Sequence, residues 1–145
     1  MTLRYITQAD LEQLEELDKK CFPREIRYNR YALGYYVSLK DSIGIIKSID
    51  ENIVGFIIAT ITPSGFANIV TIDIAPEFRK RGFGNNLISA VKLILQELDI
   101  KKISLQVSVN NETAIEFYLK HGFEIISILP SYYPGSDGYQ MDCMI

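Results

Sequence analysis

Ile72-Asp73-Ile74-Ala75-Pro76-Glu77-Phe78-Arg79-Lys80-Arg81-Gly82-Phe83-Gly84-Asn85-Asn86-Leu87 runs from an apolar strand through a basic, glycine-spaced turn into a helix. The first amides of a helix have no intrahelical partner and sit at the positive end of its dipole, so such a junction favours an anion. Gly82 and Gly84 remove the Cβ atoms that would hold a phosphate off the backbone, and they permit the positive φ of an anion-binding nest. Arg79, Lys80 and Arg81 add positive charge at the same point, which suits a pyrophosphate. The stretch reads as a site for a polyphosphate-bearing cofactor.

Two common phosphate loops are excluded. A dinucleotide fingerprint needs a third glycine where Leu87 stands, and the Gly-Lys-Ser/Thr triplet of a Walker loop does not occur in the chain. Net charge is −3, so the basic triplet stands against an acidic background, which argues for a compact anion and against nucleic acid as partner.

With 145 residues, 48% of them hydrophobic and 23% charged, one globular domain over 1–145 is expected, and no run reaches the length of a membrane span. The start of the chain lacks the plan of a signal peptide, and Cys21 and Cys143 are too few for a disulfide framework. A reducing, cytoplasmic setting is expected, with no membrane partner. Nine tyrosines and no tryptophan stand out, and the tyrosines crowd into 28–36 and 132–139.

Outward from the opening stretch, the pattern alternates strands and helices. A strand over Leu3 to Ile6 leads through Thr7 and Asp10 into a capped helix with Leu11, Leu14 and Leu17 on its apolar face. A second helix is expected around Tyr31 to Leu39. Gly44 to Ile49, Ile53 to Ile61 and Ala67 to Ile74 are β-branched runs separated by turn residues, an antiparallel meander. From Asn85 a helix follows with Leu87, Val91, Ile94, Leu95 and Leu98 at helical spacing. Lys102 to Val109 is a strand, Glu112 to His121 a helix closed by Gly122, and Phe123 to Leu129 a strand paired with Gln140 to Met144. His121 suits a cation at the helix C-terminus. The fold class is α/β: a mixed, mostly antiparallel sheet with helices on both faces.

Arg79-Lys80-Arg81-Gly82-Phe83-Gly84 after a strand ending in Ala-Pro, together with Leu105-Gln106-Val107-Ser108-Val109-Asn110-Asn111-Glu112-Thr113-Ala114-Ile115-Glu116-Phe117-Tyr118 and the exit His121-Gly122-Phe123, closely resembles the GNAT superfamily of acetyl-CoA-dependent N-acetyltransferases. The resemblance covers most of the chain and weakens between Pro23 and Lys40. It implies acetyl-CoA as co-substrate and no metal. The backbone of Ile72, Asp73 and Ile74, the turn Arg79, Lys80, Arg81, Gly82, Phe83, Gly84 and Asn85, and the side chain of Asn111 would hold the cofactor. Tyr118 would lie near its sulfur. A phenol of pKa near 10 stays protonated at neutral pH and suits a proton donor to a leaving thiolate of pKa about 8.5. Asn111 also suits a helix N-cap, and Tyr118 a core position.

Ser131-Tyr132-Tyr133-Pro134-Gly135-Ser136-Asp137-Gly138 is similar to the Tyr-Tyr tail of protein N-terminal acetyltransferases, including the ribosomal-protein-alanine branch, although it also suits an aromatic hairpin. That resemblance makes Tyr132 and Tyr133, with Tyr28 and Tyr31 after the first helix, substrate-binding candidates for a protein or peptide N-terminus. In those enzymes the strand position twelve before the tyrosine is commonly Glu or His; this chain has Gln106, which can hold a water but cannot take its proton. Deprotonating an α-amine at pH 7 costs about 1 kcal/mol against roughly 4–5 for a lysine amine, so a weak base favours the α-amine. The expectation is direct acetyl transfer to an N-terminal α-amine in a ternary complex, by a monomer or weak dimer. A lysine, polyamine or other small-amine acceptor and a non-catalytic acyl-CoA sensor are the alternatives.

Overall fold

A computed structural model describes residues 2–145, and Met1 lies outside them. Strands β1 (Thr2–Tyr5), β2 (Ser42–Ile49), β3 (Asn52–Ile61), β4 (Ala67–Ile74), β5 (Lys102–Ser108), β6 (Glu124–Tyr133) and β7 (Ser136–Met144) form one sheet in the order β1-β2-β3-β4-β5-β7-β6. Every neighbouring pair is antiparallel except β4 with β5. The connection from β4 to β5 crosses over through a helix, as parallel neighbours require.

The apolar runs of β2 and β3 are continuous because both faces are covered. Ile45 and Ile57 pack toward helix α3 (Phe83–Glu97) and helix α4 (Glu112–Lys120). Ile46, Phe56 and Ile58 pack toward Leu14 and Leu17 of helix α1 (Leu11–Cys21) and Leu33 of helix α2 (Arg30–Ser38). Leu14, Leu33, Phe56 and Leu87 are fully buried, each contributing roughly 1.5–3 kcal/mol relative to exposure. Asp50 and Glu51 both take positive φ in the two-residue β2–β3 turn, the geometry that matches strand twist.

Several boundaries differ from the sequence expectation. Helix α3 begins at Phe83, because Gly82 at φ 81° is its cap, and Leu98 is its half-exposed end while Ile88 joins the core. The strand expected to end at Leu129 runs on, β6 continuing to Tyr133, and its partner β7 starts at Ser136 rather than Gln140, an aromatic hairpin. Pro134 presets the turn between them and Gly135 supplies its φ of 80°, so pairing resumes at once, with Tyr133 opposite Ser136. Asp10 accepts from the Thr7 amide and hydroxyl, as the capping pattern anticipated, but at a short 3-10 turn preceding α1.

Candidate active site

β4 and β5 pair only at Ala67↔Ile103 and Asn68↔Ser104. Opposite β3, the register jumps between Ile58↔Thr71 and Ala59↔Ile69, which makes Val70 a bulge. Past the bulge β4 and β5 diverge. The β5-facing backbone of residues 70–74 therefore has no strand partner, and a cavity of about 660 Å³ fills the opening. Ile72 and Ile74 line it from β4 and Gln106 from β5, whereas the Asp73 side chain turns to the α1 face and is fully buried there.

One end of the cavity is the basic turn. Arg79, Lys80, Gly82, Phe83, Gly84 and Asn85 all line it. Lys80 and Gly82 take φ of 62° and 81°, the alternation that turns successive amides to one side. Arg79 donates from Nε to the Ile74 carbonyl at 3.1 Å. Arg81 lies outside the lining, its guanidinium 5.2 Å from the Phe78 ring centre. The two glycines serve different ends. A Cβ at Gly82 would meet nothing within 4 Å, so its requirement is conformational. A Cβ at Gly84 would stand 2.9 Å from Phe117 Cε1, so that glycine also admits the α4 ring against α3.

Midway, Asn111 caps α4, its Oδ1 accepting from the Ala114 amide at 3.2 Å, which leaves Nδ2 to donate to a ligand. Tyr118 is buried, with the Phe117 and Phe123 rings each 5.6 Å from its own. Burial, then the charges of Asp73 and Tyr133, raise its pKa, so the phenol keeps its proton. Gln106 donates from Nε2 to Gln140 Oε1 at 2.9 Å and Asn68 Oδ1 at 3.2 Å. His121 is not the helix-end cation its position suggested: burial and then Lys92 lower its pKa, and Nε2 pairs with Asn85 Oδ1 at 2.7 Å.

The other end is aromatic. Tyr28 and Tyr133 line it with Cys21, Phe22 and Ile26, three residues that sequence reasoning passed over although an apolar pair directly follows α1. Tyr28 donates its hydroxyl to the Val70 carbonyl at 3.5 Å, on the bulge itself. Burial and then Tyr132 push Tyr133 up to about 12; burial and then Asp73 push the Cys21 thiol up to about 12. Tyr31 and Tyr132 lie outside the cavity lining. Tyr31 is 82% exposed because Leu33, two positions on, takes the buried side of α2. Tyr132 alternates outward from Tyr133 and stacks edge-on against it at 4.9 Å. Among the described residues no cluster of three or more His, Cys, Asp and Glu able to hold a metal ion occurs.

The strand-free backbone in the opening fits an amide-bearing arm, and the left-handed basic turn fits phosphates. The pattern of the acetyltransferase (GNAT) family matches residues 10–123. An N-alpha-acetyltransferase of Saccharolobus solfataricus is 27% identical over 161 aligned residues, covering 97% of this chain and 90% of that protein. The fold superposes on the ribosomal-protein-S18-alanine N-acetyltransferase of Escherichia coli with a TM-score of 0.89 at 18% identity, covering 99% of this chain and 93% of the other. PaiA N-acetyltransferase of Thermoplasma acidophilum, crystallised with coenzyme A, gives 0.85 at 21% identity, with coverage of 99% and 98%.

Proposed function

We propose, for a chain that belongs to the acetyltransferase (GNAT) family, that the acceptor is the α-amine of a protein or peptide N-terminus. The chain is an acetyl-CoA-dependent N-acetyltransferase. Bound acetyl-CoA supplies an acyl group already activated as a thioester. The observation that carries the acceptor assignment is the continuous cavity. It runs from the basic turn at Lys80 and Gly82 through the β4/β5 opening to an aromatic mouth at Tyr28 and Tyr133, past a Gln106 side chain that cannot accept a proton.

In this reading Lys80 and the amides at the start of α3 hold phosphate, and Asn111 Nδ2 donates to the pantetheine arm. The backbone of 72–74, apart from the Ile74 carbonyl that Arg79 holds, hydrogen-bonds the same arm and orients the thioester. The Tyr118 phenol holds its proton at Oη for the departing sulfur, and the proton that the attacking nitrogen sheds restores the phenol. Tyr28 and Tyr133 flank the acceptor, which arrives from the α1–α2 side and attacks directly, in a ternary complex. Because no side chain at 106 takes the amine's proton, the acceptor must arrive largely neutral, which selects an α-amine over lysine by the gap of a few kcal/mol between their deprotonation costs. The N-alpha-acetyltransferase relative supports this choice.

The reading also includes a cytoplasmic monomer or weak dimer. Cys21 and Cys143 are free thiols, and among the described residues no helix is long and apolar enough to cross a membrane. The test is incubation of the purified protein with acetyl-CoA and a degenerate pool of N-terminal peptides, following free thiol and peptide mass. Acetylated N-termini are expected. Acetylated lysine or polyamine alone would replace the acceptor, and coenzyme A binding without turnover would indicate a sensor.

A further inference from the structure

Asp18 on α1 and Asp73 on β4 are both fully buried, and neither lines the cavity. Asp18 Oδ2 accepts the Tyr28 amide at 2.6 Å, a contact spanning the loop between α1 and α2. Asp73 Oδ1 accepts the Thr71 hydroxyl at 2.6 Å. The two carboxyl groups meet within hydrogen-bond contact, yet Asp18 Oδ1 and Asp73 Oδ2 receive no donor from any other described group. Two carboxylates in contact and out of water repel, and each leaves an oxygen unpaired. One proton between them removes both penalties.

The surroundings say where the remaining charge sits. Arg27 in the loop faces Asp18, which also takes the Tyr28 N–H. Arg79, from the turn after β4, faces Asp73 together with Thr71, but burial and then Asp18's bond and charge outweigh them and raise Asp73 well above the usual carboxylate range. The other groups nearby, the Cys21 thiol and the Tyr28 and Tyr118 phenols, are all held protonated.

We propose that Asp18 and Asp73 share a single proton, and that this acid–carboxylate pair positions the Tyr28 segment of the acceptor-side loop over β4. Asp73 carries the proton and donates it to Asp18 Oδ1. Asp18, anionic, holds the Tyr28 amide. The Tyr28 hydroxyl then reaches the Val70 carbonyl at the bulge, so the aromatic mouth is registered on the strand that lines the cavity. Both aspartates are positioning residues that act through Tyr28. When Asp73 ionises at alkaline pH the pair repels, and the loop loses its anchor.

The test has two arms, of which only the second rests on the proposed acceptor. The infrared spectrum of the whole protein in heavy water near neutral pH should show the carbonyl stretch of a protonated carboxylic acid. That band should vanish on raising pH and be missing in Asp73→Asn. Absence of the band from the wild-type protein overturns the shared proton, whether or not the enzyme turns over the peptides tried. Asp73→Asn keeps a donor to Asp18 but cannot ionise, so the ratio of wild-type to variant KM for an N-terminal peptide should grow by roughly threefold or more as pH rises from neutral into the alkaline range, with the kcat ratio flat. Titration of the peptide amine cancels in that ratio. A pH-independent KM ratio overturns the positioning role. If Asp73→Asn does not fold, Asp18→Asn supplies the infrared comparison: the Asp73 acid then donates to a carboxamide in place of a carboxylate, so its band should shift in frequency, and a band at the wild-type position would overturn the pairing.

Discussion

Gln106 and Gln140 are cross-strand partners in the β5–β7 register, and the Gln106 carboxamide donates to Gln140 Oε1 at 2.9 Å. Its second contact, to Asn68 on β4, closes a polar bridge across three neighbouring strands at the narrow end of the opening. Gln140 in turn donates to Asp142 at 3.1 Å, which accepts from Ser104 at 2.7 Å. The carboxamide is thus fixed by its neighbours, and it has no proton-accepting state near neutral pH.

Gln106→Glu places a titratable carboxylate into this bridge, and the Gln140 amide can rotate to donate to it. The rising limb of the rate profile with an α-amine peptide should move to lower pH by about one unit, because a base then shares the task of deprotonation. An unmoved limb in a folded variant would show that position 106 does not face the acceptor amine.

Tyr118→Phe keeps the ring between Phe117 and Phe123 and removes only the hydroxyl. Turnover should fall by roughly 10²-fold with acetyl-CoA affinity little changed in calorimetry. Since burial raises the Tyr118 pKa, its ionisation should contribute no falling limb to the wild-type profile through pH 9. Unchanged turnover in Tyr118→Phe would reduce Tyr118 to packing.

Much of this architecture was legible in the sequence, and the exceptions have physical causes. The β-branched runs of β2 to β5 and the helical spacing of Leu87, Val91 and Leu95 mark elements buried by the same residues that pattern them. Tyr133 and Tyr28 could be named because aromatic clusters are visible in one dimension, but which partner turns inward depends on strand alternation and helix phase, and that separates them from Tyr132 and Tyr31. That Gly84 also accommodates Phe117 is not legible in the sequence, because the two residues are distant along the chain. In the sequence Asp73 reads as a backbone contact to the cofactor, its side chain set in an apolar strand. Its significance comes only from Asp18, which the bulge at Val70 and the docking of α1 bring to it.

The two glycines of the turn separate experimentally. Gly84→Ala drives a methyl into the Phe117 ring and should lower stability by about 1–3 kcal/mol, with partial relief on shortening Phe117 to Leu. Gly82→Val has open space but a strained positive φ, so the fold should survive while coenzyme A binding weakens by about tenfold or more. Equal melting temperatures for wild type and Gly84→Ala, or unchanged coenzyme A affinity in folded Gly82→Val, would contradict these assignments.

Arg4 grips Asp10 with two bonds of 2.8 Å, and that contact, helped by Thr7, holds the buried Asp10 carboxyl at about 2. A depressed folded-state pKa gives stability that is complete above the unfolded value near 3.9 and is lost as pH falls through about 2, worth about 2 kcal/mol in all. Denaturant titrations at neutral pH and in acid should therefore show a smaller acid loss in Asp10→Asn than in wild type. A parallel loss in both would show that the pair does not stabilise the fold.

The most direct test compares two peptides, one with a free α-amine and one blocked at its N-terminus but carrying lysine, from about pH 6 to 9 with acetyl-CoA and detection of released thiol. Transfer to the free α-amine should rise with the neutral fraction of that amine and level near its pKa, with little transfer to the blocked peptide. Equal rates on both would contradict selectivity for N-termini and would require a proton acceptor other than the side chains at Gln106 and Tyr118.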